Sequence, residues 1–115
     1  MGMDINLENI KSQMRKGMLE YCILSILKNG ETYASSLITE LKEAKMIVVE
    51  GTLYPLLTRL KNQGYLTYRW EESKQGPPRK YYSLTEQGDM ALDAMDSAWK
   101  DVEDSINLIK TKKLL

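Results

Sequence analysis

Apolar residues return every three or four positions through most of this chain, the spacing of helices with one face turned to a core. From residue 6 to 28 the spacing predicts one helix with two stripes. Leu7, Ile10, Met14, Met18 and Tyr21 form the first stripe, and Leu19, Cys22, Ile23, Ile26 and Leu27 the second, which implies two packing partners. Asn29-Gly30 ends that helix. A second helix takes Thr32 as its N-cap, sets Ala34, Leu37, Ile38 and Leu41 on one face, and ends near Ala44. Met46-Ile47-Val48-Val49 reads as a short strand or an extended connector. A third helix from Thr52 to Asn62 repeats the stripe with Leu53, Leu56, Leu57 and Leu60, holds Pro55 in its first turn, and stops at Gly64.

The period then changes from helix to strand. Leu66, Tyr68 and Trp70 alternate with Thr67 and Arg69, and a second aromatic strand runs from Arg79 to Leu84. Ser73-Lys74-Gln75-Gly76-Pro77-Pro78 between them predicts a loop longer than a two-residue turn, with a mobile tip. Thr85 caps a final helix whose Leu92, Met95, Trp99, Val102, Ile106 and Ile109 are spaced 3, 4, 3, 4 and 3 apart, a heptad seam. The order helix, helix, short strand, helix, hairpin, helix predicts a mainly α fold with a small β-hairpin. It is a winged helix-turn-helix over residues 1–84 followed by a long C-terminal dimerisation helix over 85–115, with the N-terminal helix also serving the dimer.

Composition narrows the chemistry. At 115 residues, the length fits one domain. With no His and a single Cys, the chain has no His-based acid–base site, no Ser-His-Asp triad, no CxxC pair and no intrachain disulfide. No metal, cofactor or enzymatic activity is expected. The lone Cys22 suits a reducing compartment, and with no signal peptide or membrane span in the sequence a cytoplasmic protein is expected.

Net charge is zero, but it is segregated. From residue 51 to 82, Arg59, Lys61, Arg69, Lys74, Arg79 and Lys80 outweigh Glu71 and Glu72, leaving +4. From 85 to 106, seven acidic residues face Lys100 alone, leaving −6. A basic middle is the footprint of a surface that meets phosphates. The face of the third helix opposite its leucines presents Tyr54, Pro55, Thr58, Lys61 and Asn62, flanked by Thr52 and Arg59, residue types that reach phosphates and base edges. Lys74, Arg79 and Lys80 on the hairpin complete a double-stranded DNA surface. Tyr81 and Tyr82 point opposite ways on their strand; Leu84 is most naturally inward, which takes Tyr82 inward and frees Tyr81, unless a bulge reverses them.

Three stretches carry a resemblance. They are Glu50-Gly51-Thr52-Leu53-Tyr54-Pro55-Leu56-Leu57-Thr58-Arg59-Leu60, Gly64-Tyr65-Leu66, and Arg79-Lys80-Tyr81-Tyr82-Ser83-Leu84-Thr85-Glu86-Gln87-Gly88. Together they resemble the PadR family of bacterial transcriptional regulators, over about residues 15 to 90, and the single final helix is similar to the shorter subfamily. Glu31 stands where that family often has Gly before the Tyr. The resemblance implies a homodimer that represses promoters, often its own and those of adjacent transport or stress genes. It implies that some members release DNA on binding small aromatic or drug-like molecules. It also implies DNA contacts from Tyr33 and Tyr54, although a Tyr at a helix start is equally a half-buried packing residue.

The dimer is expected to pair the seam Leu92, Met95, Trp99, Val102, Ile106 and Ile109 with its copy and with the stripe Leu7, Ile10, Met14 and Met18. Burying each large apolar side chain is worth about 1.5–3 kcal/mol, so such a seam favours association. Trp99 either fills the dimer core or, with Met14, Met18, Met95 and Asp96, lines a slot for a planar or cationic ligand. A winged-helix dimer that binds proteins or sequesters ligands without touching DNA is the competing reading.

Overall fold

The computed structural model describes residues 5–112; Lys113 and the other terminal residues lie outside them. In chain order the elements are α1 (Leu7–Arg15), α2 (Leu19–Lys28), β1 (Thr32–Tyr33), α3 (Ala34–Glu43), α4 (Glu50–Asn62), β2 (Leu66–Ser73), β3 (Gly76–Leu84) and α5 (Glu86–Thr111). The architecture is mainly helical with a three-stranded antiparallel sheet in the order β1-β3-β2.

The leucine stripes form the core. Ile23, Leu24 and Leu27 of α2, Leu37 and Leu41 of α3, and Leu53, Leu57 and Leu60 of α4 meet Leu66 and Tyr82 of the sheet and Leu92 of α5. Burial of the i, i+3, i+4 positions is what makes three short helices, each of marginal stability alone, persist. The residues of 46–49 form an extended connector, with Val48 buried.

Five local expectations are corrected. The segment 6–28 is two helices, broken at residues 16–18. Gly17 has poor helix propensity and no side chain to pack, and the Met18 N–H bonds to the Arg15 carbonyl at 2.8 Å in a turn. The two stripes thereby take separate directions: α2 enters the core, while α1 buries no residue. Thr32 is not an N-cap. It pairs with Tyr82 as the edge strand β1, and Tyr33 occupies the cap position of α3 without a side-chain capping bond. Pro55 lies in the second turn of α4, because that helix begins at Glu50, where the Val49 carbonyl accepts from both Thr52 and Leu53 at 3.0 Å. The wing has no long loop. Ser73 pairs with Gly76, leaving Lys74 and Gln75 as a two-residue turn, and an irregularity in the ladder between Glu71 and Ser73 sits opposite Pro77 and Pro78, which cannot donate to it. Leu92 is no dimer residue, since it is only 5% exposed within the chain's own core.

The start of α5 is pinned to the end of α4. The Thr85 hydroxyl donates to the Gly64 carbonyl at 2.6 Å and accepts from the Gly88 N–H at 2.9 Å, while the Thr85 N–H donates to the Tyr65 carbonyl at 3.1 Å. Gly64 has φ 83°, the left-handed conformation that ends α4. Gly88 packs so closely that a Cβ would lie 2.0 Å from the Tyr65 carbonyl oxygen. Lys28 of α2 also pairs with Asp89, and the Tyr21 hydroxyl donates to Asp96 at 2.5 Å. The first part of α5 is thus fixed to the head. Beyond it, Trp99, Val102, Ile106 and Ile109 stay exposed, as do Leu7, Ile10 and Met14 of α1.

Candidate nucleic-acid interface

Two adjoining surfaces meet at Tyr54. The first is a groove of about 380 Å³ between the start of α3, α4 and the wing, lined by Tyr33, Ala34, Ser35, Tyr54, Trp70, Pro78, Arg79, Lys80 and Tyr82. The second is the outward face of α4, where Tyr54, Pro55, Thr58, Arg59, Asn62 and Gln63 line an open depression. Thr52 and Lys61 are exposed on the flanks of the same helix. Burial of Leu53, Leu57 and Leu60 on one side of α4 fixes which residues look outward.

Strand pairing arranges the wing. Register opposes Tyr68 to Tyr82 and Trp70 to Lys80 on one face, and Arg69 to Tyr81 and Glu71 to Arg79 on the other. Tyr82 is buried and Tyr81 half-buried, as alternation from Leu84 predicts. On the inner face, Lys80 lies over the rings of Tyr68 and Trp70, with its Nζ 4.4 and 5.5 Å from their centroids, and Lys61 approaches Tyr68 at 5.5 Å. On the outer face the Arg79 guanidinium lies 3.9 Å above the Tyr33 ring, which packs on Tyr81 at 4.6 Å. Tyr33 therefore both packs and lines the groove. Flat rings under cations limit the freedom of long side chains without neutralising them.

The basic residues divide by partner. Arg69 is held by Glu31 at 3.4 Å and Glu71 at 3.0 Å, and these carboxylates raise its pKa, chiefly through the Glu31 hydrogen bond. Arg59 pairs with Glu20 of α2. Lys61, Lys74, Arg79 and Lys80 make no ion pair among the described residues, so no carboxylate neutralises their charge. Lys74 sits at the tip of the wing, apart from the groove lining. Trp70, Ser35 and Pro78 join the groove although the sequence reading left them out. The alternation of Leu66, Tyr68 and Trp70 already placed Trp70 on one face; the register that opposes it to Lys80 needed the structure.

A separate crevice of about 200 Å³ lies between the start of α2 and α5, lined by Gly17, Met18, Glu20, Tyr21, Met95, Ala98, Trp99 and Val102. It gathers Met18, Met95 and Trp99 within one chain. Met14 and Asp96 do not line it; Asp96 instead holds the Tyr21 hydroxyl and thereby raises the Tyr21 pKa.

Three helices, a hairpin wing and a cationic groove between reading helix and wing define a winged-helix DNA-binding regulator. Comparison with known proteins places it further. Residues 23–94 match the transcriptional regulator PadR-like family, and the chain belongs to that family. It is a transcriptional regulator and not an enzyme. A PadR-like transcription factor from Bacteroides fragilis shares 59% identity with it, covering 88% of this chain and 98% of its own, with a TM-score of 0.75. A PadR family transcriptional regulator from Eggerthella lenta shares 28% identity over 93% of this chain and 94% of its own, with a TM-score of 0.86. A PadR-like transcriptional regulator from Bacillus cereus shares 35% identity over 88% and 99%, with a TM-score of 0.74. No helix among the described residues is long and apolar enough to cross a membrane.

Proposed function

We propose that the protein is a cytoplasmic homodimeric repressor that binds a pseudo-palindromic promoter site through residues 1–84 and pairs through α5. The groove between α4 and the wing carries the reading. The outward residues of α4 enter the major groove, with Thr52, Tyr54, Pro55, Thr58 and Lys61 at its edges and floor. Arg79, Lys80 and Lys74 follow the adjoining backbone, and Tyr33 and Tyr81 brace the wing against α3. The uncapped start of α3 at Ala34 and Ser35 adds backbone N–H groups to the same groove wall.

The seam Met95, Trp99, Val102, Ile106 and Ile109, exposed from Trp99 onward, with exposed Leu7, Ile10 and Met14 and half-buried Met18, supports dimerisation. The pairing joins α5 to α5 and to the partner's α1 and α2. A small planar or cationic ligand enters beside Trp99 in the crevice that Met18 and Met95 share, and it acts by changing the angle between the two heads.

Retention of the duplex upstream of the protein's own gene, titrated with salt, tests the reading. The native protein binds that duplex more tightly than a scrambled one, and binding falls steeply with salt. The Arg79→Ala, Lys80→Ala double variant loses at least roughly tenfold in affinity while sedimenting like the native protein. Unchanged binding by that variant overturns the site, and an absence of any duplex binding favours a protein- or ligand-binding module. For the ligand, Trp99 fluorescence in a Trp70→Phe variant is quenched by planar cationic dyes in the absence of DNA. A flat response across the dyes assigns Trp99 to the dimer core.

A further inference from the structure

Arg59 differs from the other basic residues of the reading surface. It lines the outward depression of α4, and its side chain is 63% exposed, yet its guanidinium is engaged by Glu20 of α2. Glu20 is more enclosed, with its side chain 19% exposed, and it also forms part of the crevice wall beside Met18 and Tyr21. One carboxylate therefore sits between the crevice and the reading helix. A partly exposed Arg–Glu pair is weak, and Glu20 Oε1 accepts no hydrogen bond, so a phosphate arriving at α4 competes with Glu20 for the guanidinium charge.

We infer that Glu20 is an internal competitor for Arg59 and sets how much of that charge reaches the duplex. The inference rests on the DNA-reading surface proposed above. Glu20 stays with α2 because it is largely enclosed, whereas the exposed Arg59 swings between carboxylate and phosphate. In the free protein Glu20 neutralises Arg59, and on DNA each subunit must give up that pair. Glu20 thus acts through Arg59, as an affinity-setting residue.

Glu20→Gln keeps the shape and removes the charge. Measured on the upstream duplex and on its scrambled counterpart, this variant binds both more tightly than the native protein, by roughly three- to tenfold. The slope of log affinity against log salt steepens by about 0.9 for each subunit that gains a phosphate contact. In an Arg59→Ala background the same change has no effect on either quantity. Thermal melts of all four proteins confirm that each is folded at the temperature of binding. If Glu20→Gln weakens binding, or leaves affinity and slope unmoved, Glu20 is a buttress that positions α4 and the inference is wrong. An effect of Glu20→Gln that survives in the Arg59→Ala background also overturns it. Failure of the native protein to bind any duplex removes the reading surface itself, whereas native binding with an unmoved Glu20→Gln removes only the competitor.

Discussion

Gly88 shows how much a single position constrains this molecule. It lies in the first turn of α5, against the Tyr65 carbonyl, with no room for a methyl group. Gly88→Ala therefore forces α5 away from the α4–β2 junction, and the melting temperature falls by well over the few degrees that about 1 kcal/mol costs a domain of this size. Among core residues, Leu57→Ala leaves a cavity under the reading helix and costs about 2–5 kcal/mol, read from urea unfolding. Burial pushes the Tyr82 phenol above its ordinary value near 10, and the hydrogen bond to Asp96 does the same for Tyr21. In both cases the folded state favours the neutral phenol. Their contribution to stability is complete below pH 10 and is lost as pH rises through the raised values. Urea midpoints measured from neutrality upward stay level and then fall, and in Tyr82→Phe the alkaline fall is shallower; an equal fall in both proteins contradicts this account. The leucines of α3 and α4 were legible from spacing alone, since burial follows period. The pairs Glu20–Arg59 and Gly88–Tyr65 were not, because they join residues 39 and 23 positions apart that only the packing brings together.

At the scale of elements, the strongest local patterns survive and the boundaries move. Three periodic stripes gave three packed helices, and the heptad spacing of α5 gave one long helix of 26 residues. The break after Arg15 was hidden because Lys16-Gly17-Met18 interrupts neither apolar stripe. The wing turn was hidden by composition: Gly-Pro-Pro reads as loop, yet Gly76, Pro77 and Pro78 belong to β3 beside an irregular stretch of the ladder where missing N–H donors cost little. β1 escaped notice because two residues carry no period of their own. The exposed part of α5 yields the clearest test at this scale. Val102→Glu combined with Ile106→Glu places charges on the seam, so the protein sediments as a single subunit and loses specific DNA retention. Its head melts near the native temperature, because neither residue touches the core. A dimer that persists in this variant places the interface elsewhere.

The whole molecule is elongated, 65 × 38 × 21 Å, with a radius of gyration of 17.5 Å against about 13 Å for a compact chain of this length. The excess follows from the 26-residue α5, which runs on past the crevice it shares with the start of α2 and stays exposed beyond it. Under the proposed reading, segregated charge has a structural meaning: the basic face would meet the duplex while the acidic helix stays clear of it. The proposed pairing through α5 would give a twofold axis, and that twofold would set two heads on one side of a duplex. Hydroxyl-radical footprinting of the native protein on its upstream duplex tests this arrangement most directly. The account predicts two equivalent protected patches related by a dyad, separated by about 34 Å or a multiple of it, with both lost in the Arg79→Ala, Lys80→Ala variant. A single unpaired patch, or protection that survives that variant, would contradict it.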